Sequence, residues 1–462
     1  MTQTRFERGA SRREFLALAG SVAAWNSMPR PAHAAGWDDM RTILGRIVAP
    51  AFPRKDFSAA RYGAAPDGRT DCSAAIAQAI EACNQAGGGR VVLPAGVCLA
   101  GPIHLKSNVN LFLPAGATIR FTTDPARYLP VARTRWEGTE LMNYSALIGA
   151  DSQENIAVTG EGTLDGGAGP EHWWPWTKSA GAERSALVEM GAKDIPVEQR
   201  VFGQDHHLRP SLFQPRDSRN ILIEGVTVTN SPMWQITPLY CSNVIIRGVQ
   251  IVGHGPNNDG CDPDSCADVL IDNCSFDTGD DCIAIKSGRN RDGRRVARPT
   301  ENVVIRGCRM KDGHGGITIG SEMSGGVRNV FVEDCRLDSP NLNYAMRFKT
   351  NAQRGGVIEN IFFRNLTVGE ISSAVLQIDC LYEEGENGPE KPLVRNIEVR
   401  NVSSGKSRRA LELRGLAASP IRDVRLADCN FENAAQPNVV ENVTGLACVN
   451  VRINGQPFTP RG

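Results

Sequence analysis

The chain has 462 residues, 41% of them hydrophobic and 22% charged, with 51 basic side chains against 51 acidic ones. That balance excludes a disordered polyelectrolyte and offers no global positive field for nucleic acid, so an anionic ligand must be held by local charge. Beyond the first residues no apolar stretch is long enough to span a membrane as a helix, and the mature chain is expected to be a soluble monomer.

The N-terminus carries a processing signal. SRREFLALAG at Ser11 to Gly20 puts an arginine pair before an apolar run, and AHA at Ala32 to Ala34 offers small residues for cleavage. The segment resembles a twin-arginine export peptide, which implies a periplasmic or secreted protein. Cleavage after Ala34 would leave 46 basic and 49 acidic side chains, a net charge of −3. The predicted organisation is an export peptide over 1–34, an N-terminal tether over 35–60 and one catalytic domain over 61–462. Cysteine numbers 13, so at least one thiol stays outside any intramolecular disulfide.

Between Arg61 and Gly89, Asp71 can cap a helix whose Ile76, Ile80 and Cys83 share one face, ended by Gly87 to Gly89. Such a helix would cover the open end of something larger. Short β-rich runs and Pro-Ala-Gly turns follow, and then the chain repeats. Nine-residue units begin at Asn220, Asn243, Asp268, Asn302, Asn329, Asn360, Asn396 and Asp423, with starts 23 to 36 residues apart. Their second residues are Ile221, Val244, Val269, Val303, Val330, Ile361, Ile397 and Val424, and their fourth are equally apolar. This is the period of a strand with one buried face. The phase slips before position seven, which marks a bend into a second strand. Cys274, Cys308, Cys335 and Cys429 share that position and are expected to form a buried stack of small apolar side chains. Variable spacing around a constant apolar signature predicts an all-β solenoid of one domain, a parallel β-helix with an N-terminal capping helix.

Four polar clusters interrupt this regularity: NND at 257–259, GDD at 279–281, GHG at 313–315 and RFK at 347–349. Counted from the unit starts at Asp268 and Asn302, Asp280 and His314 occupy the same place on consecutive coils. Aligning the residues that follow stacks Asp259 with them, puts Asp281 one place on, and sets Arg347 and Lys349 one coil beyond the histidine. With about 4.8 Å between parallel strands, the acids and the histidine should meet in one site. Alternation places Arg347 and Lys349 on one face of their strand and Phe348 on the other.

In order and spacing the four clusters resemble the signature motifs of glycoside hydrolase family 28, the polygalacturonases, whose usual forms are NTD, G/QDD, GHG and RIK. The departures, Asn258 and Phe348, are both middle residues of their triplets. The resemblance implies a right-handed parallel β-helix that hydrolyses α-1,4-galacturonosidic bonds of polygalacturonate or oligogalacturonates with inversion, without cofactor or metal. It also implies roles. Asp280 is the general acid, Asp259 and Asp281 hold and deprotonate the water, and His314 hydrogen-bonds in the site. Arg347 and Lys349 bind the uronate carboxylate, with Asn257 and Tyr382 lining the sugar site.

Two insertions bear on specificity. HWWPW at 172–176 supplies Trp173, Trp174 and Trp176, which either stack on sugar rings or pack their loop onto the coil. GRNRDGRRVARP at 288–299 supplies Arg289, Arg291, Arg294, Arg295 and Arg298, which either attract an anionic polymer or belong to a solvated loop. Together with GHGGITIGSEMSGG these insertions look more like the exo-acting bacterial members of the family. The alternatives are a rhamnogalacturonan-type hydrolase, a calcium-dependent β-helical pectate lyase and a non-catalytic polysaccharide-binding β-helix. A zinc or iron site built on His314 lacks a second nearby histidine.

Overall fold

In a computed structural model, residues 36–460 are described; the export segment and the cleavage site at Ala34 lie outside the described residues. The repeat units pair in register as parallel strands. Ile221, Val244, Val269, Val303, Val330, Ile361, Ile397 and Val424 face one another in sequence up the sheet. All eight are buried, as are the four stacked cysteines. After the bend, short strands such as Gln250–Gly253 and Ser275–Thr278 pair in the same parallel way. A third face is built by Ile283–Ile285, Gly313–Ile319, Leu342–Lys349, Ala374–Asp379, Arg409–Arg414 and Val439–Glu441, again parallel. Each coil therefore turns through three strands around one apolar core, a parallel β-helix with the right-handed sense that parallel crossovers take.

The asparagine or aspartate that heads each unit has its own physical reason. Asn302, Asn329, Asn360 and Asn396 all have φ between 56° and 60°. Asn and Asp tolerate this left-handed conformation better than other residues with a side chain. Their carboxamides form a ladder, Asn329 donating to Asn302 at 3.1 Å, Asn360 to Asn329 at 3.1 Å and Asn396 to Asn360 at 2.6 Å. All 13 cysteines are free thiols, and the stacked ones donate to the carbonyl two residues back, as Cys335 does to Glu333 at 3.2 Å.

The predicted cap is present as helix Ser73–Gln85, which buries Ala75, Ile76, Ala79, Ile80 and Cys83. Asp71 accepts the Ser73 amide at 2.9 Å and so satisfies a donor of its first turn. Within the segment expected to be a tether, the described residues 36–60 carry regular structure. Trp37–Arg46 is a helix, and Asp56–Ser58 is a strand paired with Gly89–Val92. Trp37 meets Phe331 and Phe362 edge-on at 5.8 and 6.0 Å, and these two rings stack on neighbouring coils at 5.1 Å. The helix thus covers an aromatic pair on the outer face of the sheet.

The insertion after Asp165 folds into a small lobe with the hairpin Ala132–Trp136 and Thr139–Asn143 and the helix Gly181–Ala192. Trp136, Leu141, Leu187, Phe202, Leu208, Met233 and Trp234 form its own apolar centre. Trp234 also lies on the coil wall, so the lobe is fixed beside the third face.

Candidate active site

The third face delivers the polar clusters. Ile283 pairs with Ile317, an offset of 34 residues that sets Asp280 level with His314 as expected. The preceding coil is offset by 22, since Cys261 bridges Ile283 and Asp264 bridges Lys286. This register sets Asp259 level with Asp281, one place from its expected position beside Asp280. The site survives the slip because Asp280 and Asp281 are adjacent. One oxygen from each of the three carboxylates lies within 4.8 Å of the others.

Two glycines make the close approach possible. A Cβ on Gly315 would come within 2.8 Å of Asp281 Oδ1 and 2.2 Å of Thr318 Oγ1, so the third residue of GHG must lack one. A Cβ on Gly279 would meet the Gly255 carbonyl oxygen at 2.7 Å, which forces the tight turn that presents Asp280.

The three acids have different surroundings. Asp280 keeps 19% of its side chain exposed, whereas Asp259 keeps 4% and Asp281 none. Asp280 Oδ1 accepts the Asp281 amide at 3.0 Å and faces His314 Nδ1 at 3.0 Å. Oδ2 is then the oxygen of Asp280 without a partner among the described residues. Asp281 receives Lys349 Nζ at 2.7 Å on one oxygen and Arg347 at 3.4 Å on the other.

Electrostatics separates them further. Burial, then the charges of Asp280 and Asp281, push Asp259 well above the usual carboxylate range, against the pull of Lys286. Burial would raise Asp281 too, but Lys349, Arg347 and Lys286 outweigh it and hold it at about 2. The hydrogen bond to Asp280 raises His314, which keeps its proton to higher pH. One anchored carboxylate, one buried acid of raised proton affinity and one outward acid beside an imidazole can perform paired acid–base chemistry on a bound ether oxygen.

Arg347 and Lys349 share a face and Phe348 is buried in the core, as alternation requires. Lys349 is nearly buried and committed to Asp281. Arg347 lies against Tyr344 at 4.8 Å and Tyr382 at 5.8 Å, so Tyr382 does stand at the site. Asn257 does not offer its carboxamide oxygen outward. It accepts Arg209 at 2.7 Å, and Arg209 also donates to the carbonyls of Pro232 and Pro256, which pins the turn. Asn258 is buried and donates to Ser231 and Met233 carbonyls, which leaves Asp259 as the chemical member of its triplet.

The tryptophans pack their loop. Trp173 is buried against Tyr128 and Trp176, and Trp174 donates to the Ser231 carbonyl at 3.0 Å. The arginine insertion is held internally as well. Arg291 pairs with Asp194, Arg295 with Glu140 and Asp292, Arg294 with Glu390, and Arg298 donates to the Tyr240 carbonyl. Arg289 reaches Glu137 at 3.3 Å and Glu383 at 3.5 Å, and Arg184 of the lobe reaches the same two acids. Three separate insertions are thereby joined across one side of the carboxylate cluster.

Sequence reading missed Lys286 and Glu322. Lys286 Nζ lies 3.1 Å from Glu322 and 3.5 Å from Asp259, over the Trp234 ring at 4.4 Å. The signal was there in GDDCIAIKS, because Ile283 and Ile285 point inward and set Ala284 and Lys286 outward. Asp262 was missed too; it is fully buried with neither oxygen hydrogen-bonded among the described residues, and burial and then the charge of Asp259 push its carboxyl well above the usual range.

The acid cluster draws its compensating charge from Lys286, Lys349 and Arg347, so a divalent cation would have to displace Lys349 from Asp281. That donor set fits a metal poorly. His254, Asp277 and Asp312 also converge, but Lys311 already occupies Asp277 at 2.8 Å.

Residues 83–450 match the model of glycosyl hydrolases family 28. An exopolygalacturonase of Thermotoga maritima has 44% identity and a TM-score of 0.88, with 91% of this chain and 96% of that chain covered. The chain is 27% identical over 444 residues to an exo-poly-alpha-D-galacturonosidase of Dickeya chrysanthemi, covering 86% of this chain and 71% of the relative. It is 28% identical over 395 residues to a probable polygalacturonase of Vitis vinifera, at 82% and 74% coverage. With a match this long laid over carboxylates brought together by coil register, the chain belongs to glycosyl hydrolases family 28.

Proposed function

We propose that the chain is an exo-acting galacturonosidase that hydrolyses α-1,4-linked galacturonate from a chain end with inversion. The observation that carries this reading is the division of labour among the three acids. Asp280, the one with an outward oxygen, protonates the leaving glycosidic oxygen through Oδ2. His314, on the other oxygen, holds that carboxyl in place. Asp259 and Asp281 hold the attacking water, and Asp259 takes its proton. Arg347, cradled by Tyr344 and Tyr382, receives the uronate carboxylate, while Lys349 fixes Asp281.

A separation within 4.8 Å is shorter than the roughly 6.5–9.5 Å usual between acid and base in inverting enzymes. A retaining enzyme would need a carboxylate free to attack the anomeric carbon. Asp281 is tied by two cations, and Asp259 is 4% exposed and faces Lys286 at 3.5 Å, which leaves neither a good nucleophile. Inversion with water held beside the cluster, rather than between distant carboxyls, is the consistent reading.

Exo-action is supported by the three insertions joined through Glu137, Arg184, Arg289 and Glu383, and by the likeness to exo-acting relatives. Digestion of long polygalacturonate is expected to release monomer or one short product from the outset with little loss of viscosity. A rapid fall in viscosity with mixed oligomers would overturn exo-action.

A further inference from the structure

Lys286 and Glu322 have no part in the roles assigned above, yet they are an enclosed charged pair touching the cluster. Their side chains are 4% and 8% exposed, and Lys286 approaches Glu322 more closely than it approaches Asp259. Trp234 closes one side of the ammonium, and Arg289 stands 4.0 Å behind Glu322. A lysine in this position can neutralise one acid fully or two acids partly, and the distances show Glu322 taking the larger share.

On the reading that Asp259 is the base, we propose that Lys286 and Glu322 are a positioning pair that tunes Asp259, with Glu322 drawing the ammonium aside so that Asp259 stays a strong enough base to deprotonate water. Were Lys286 wholly committed to Asp259, the carboxylate would be too stable an anion to accept a proton from water. Without Lys286, a carboxylate this buried beside two others would not ionise readily.

The surrounding charges are consistent with this balance. Asp259 is faced by Asp280, Asp281, Asp262, Lys286 and Lys349. Lys286 is faced by Glu322, Asp259, Asp262, Asp281 and Asp264, and Glu322 by Lys286, Arg289, Arg354, Lys349 and Glu137. Glu322 is held well below its usual range by these cations despite burial, so it stays charged wherever Asp259 titrates.

The pair predicts opposite effects from its two members. The acid limb of the pH profile of kcat/KM reports ionisation of the base in the free enzyme. Glu322→Gln releases Lys286 toward Asp259 and removes a repulsion, so this limb should move down by about one pH unit. Lys286→Met removes the nearest cation, and the limb should move up by about one unit. Lys286→Arg keeps the charge and should bring the limb back toward the wild-type position. The uronate substrate titrates identically in every comparison and drops out. Far-ultraviolet circular dichroism checks folding, and if Lys286→Met does not fold, Glu322→Gln decides alone.

An acid limb that stays fixed in Glu322→Gln, shifts in the same direction in both variants, or gives way to a shift of the alkaline limb would overturn the pair. Asp259→Asn separates this from the base assignment itself. If that variant keeps its activity, the base assignment fails; if it is inactive while the limb ignores Glu322, only the positioning pair fails.

Discussion

Asp280→Asn is expected to lower kcat/KM on oligogalacturonates by about 10²- to 10⁴-fold while leaving the unfolding midpoint unchanged. Asparagine keeps the volume and can still accept the Asp281 amide, but it has no proton to give the leaving oxygen. The loss should shrink on an aryl galacturonide, whose phenolate leaves with little acid assistance. Release of new reducing ends from both substrates checks this. Activity within tenfold of wild type on the oligogalacturonate would remove Asp280 from the acid role.

Asp281→Asn should abolish turnover and also destabilise the fold. Its side chain is fully buried and opposes Lys349, itself only 8% exposed, so the substitution leaves a buried ammonium without its counter-charge. Breaking such a pair costs about 3–5 kcal/mol, seen as a lower denaturant midpoint. Adding Lys349→Met should return much of that stability, because removing both charges removes the desolvation penalty along with the attraction. It should return none of the activity. A single variant as stable as wild type would mean that the Asp281–Lys349 pair is not the electrostatic anchor of the site.

Much of this is legible in the sequence, for reasons that can be named. The register of Ile221 through Val424 followed from the sequence because each unit repeats one side-chain pattern on one strand. Asp280 and His314 could be placed because both lie 12 residues after a unit start, so the intervening bend is common to them. Asp259 slipped by one place because the coil before it is offset by 22 residues rather than 34, and turn lengths are not encoded in the apolar period.

The lobe, the helix Trp37–Arg46 and the inner charges are hidden for a different reason. Helix Trp37–Arg46 buries only Met40 and Ile43 along its length, and its anchor appears once Phe331 and Phe362 are stacked from coils 31 residues apart. Five arginines over 289–298 resemble a polyanion site until their partners, among them Asp194, Glu140 and Glu383, arrive from distant insertions. Asn257 reads as a sugar-site residue in the sequence because nothing local announces Arg209 beneath it.

The proposed reaction is hydrolysis by water on the face opposite the leaving group, directed by this acid cluster without a metal. Proton NMR of the earliest product from an oligogalacturonate, followed in EDTA, tests it most directly. The expected product is saturated, and its β-anomer appears first and then mutarotates. The α-anomer first, or a vinyl proton of an unsaturated uronate, would contradict it.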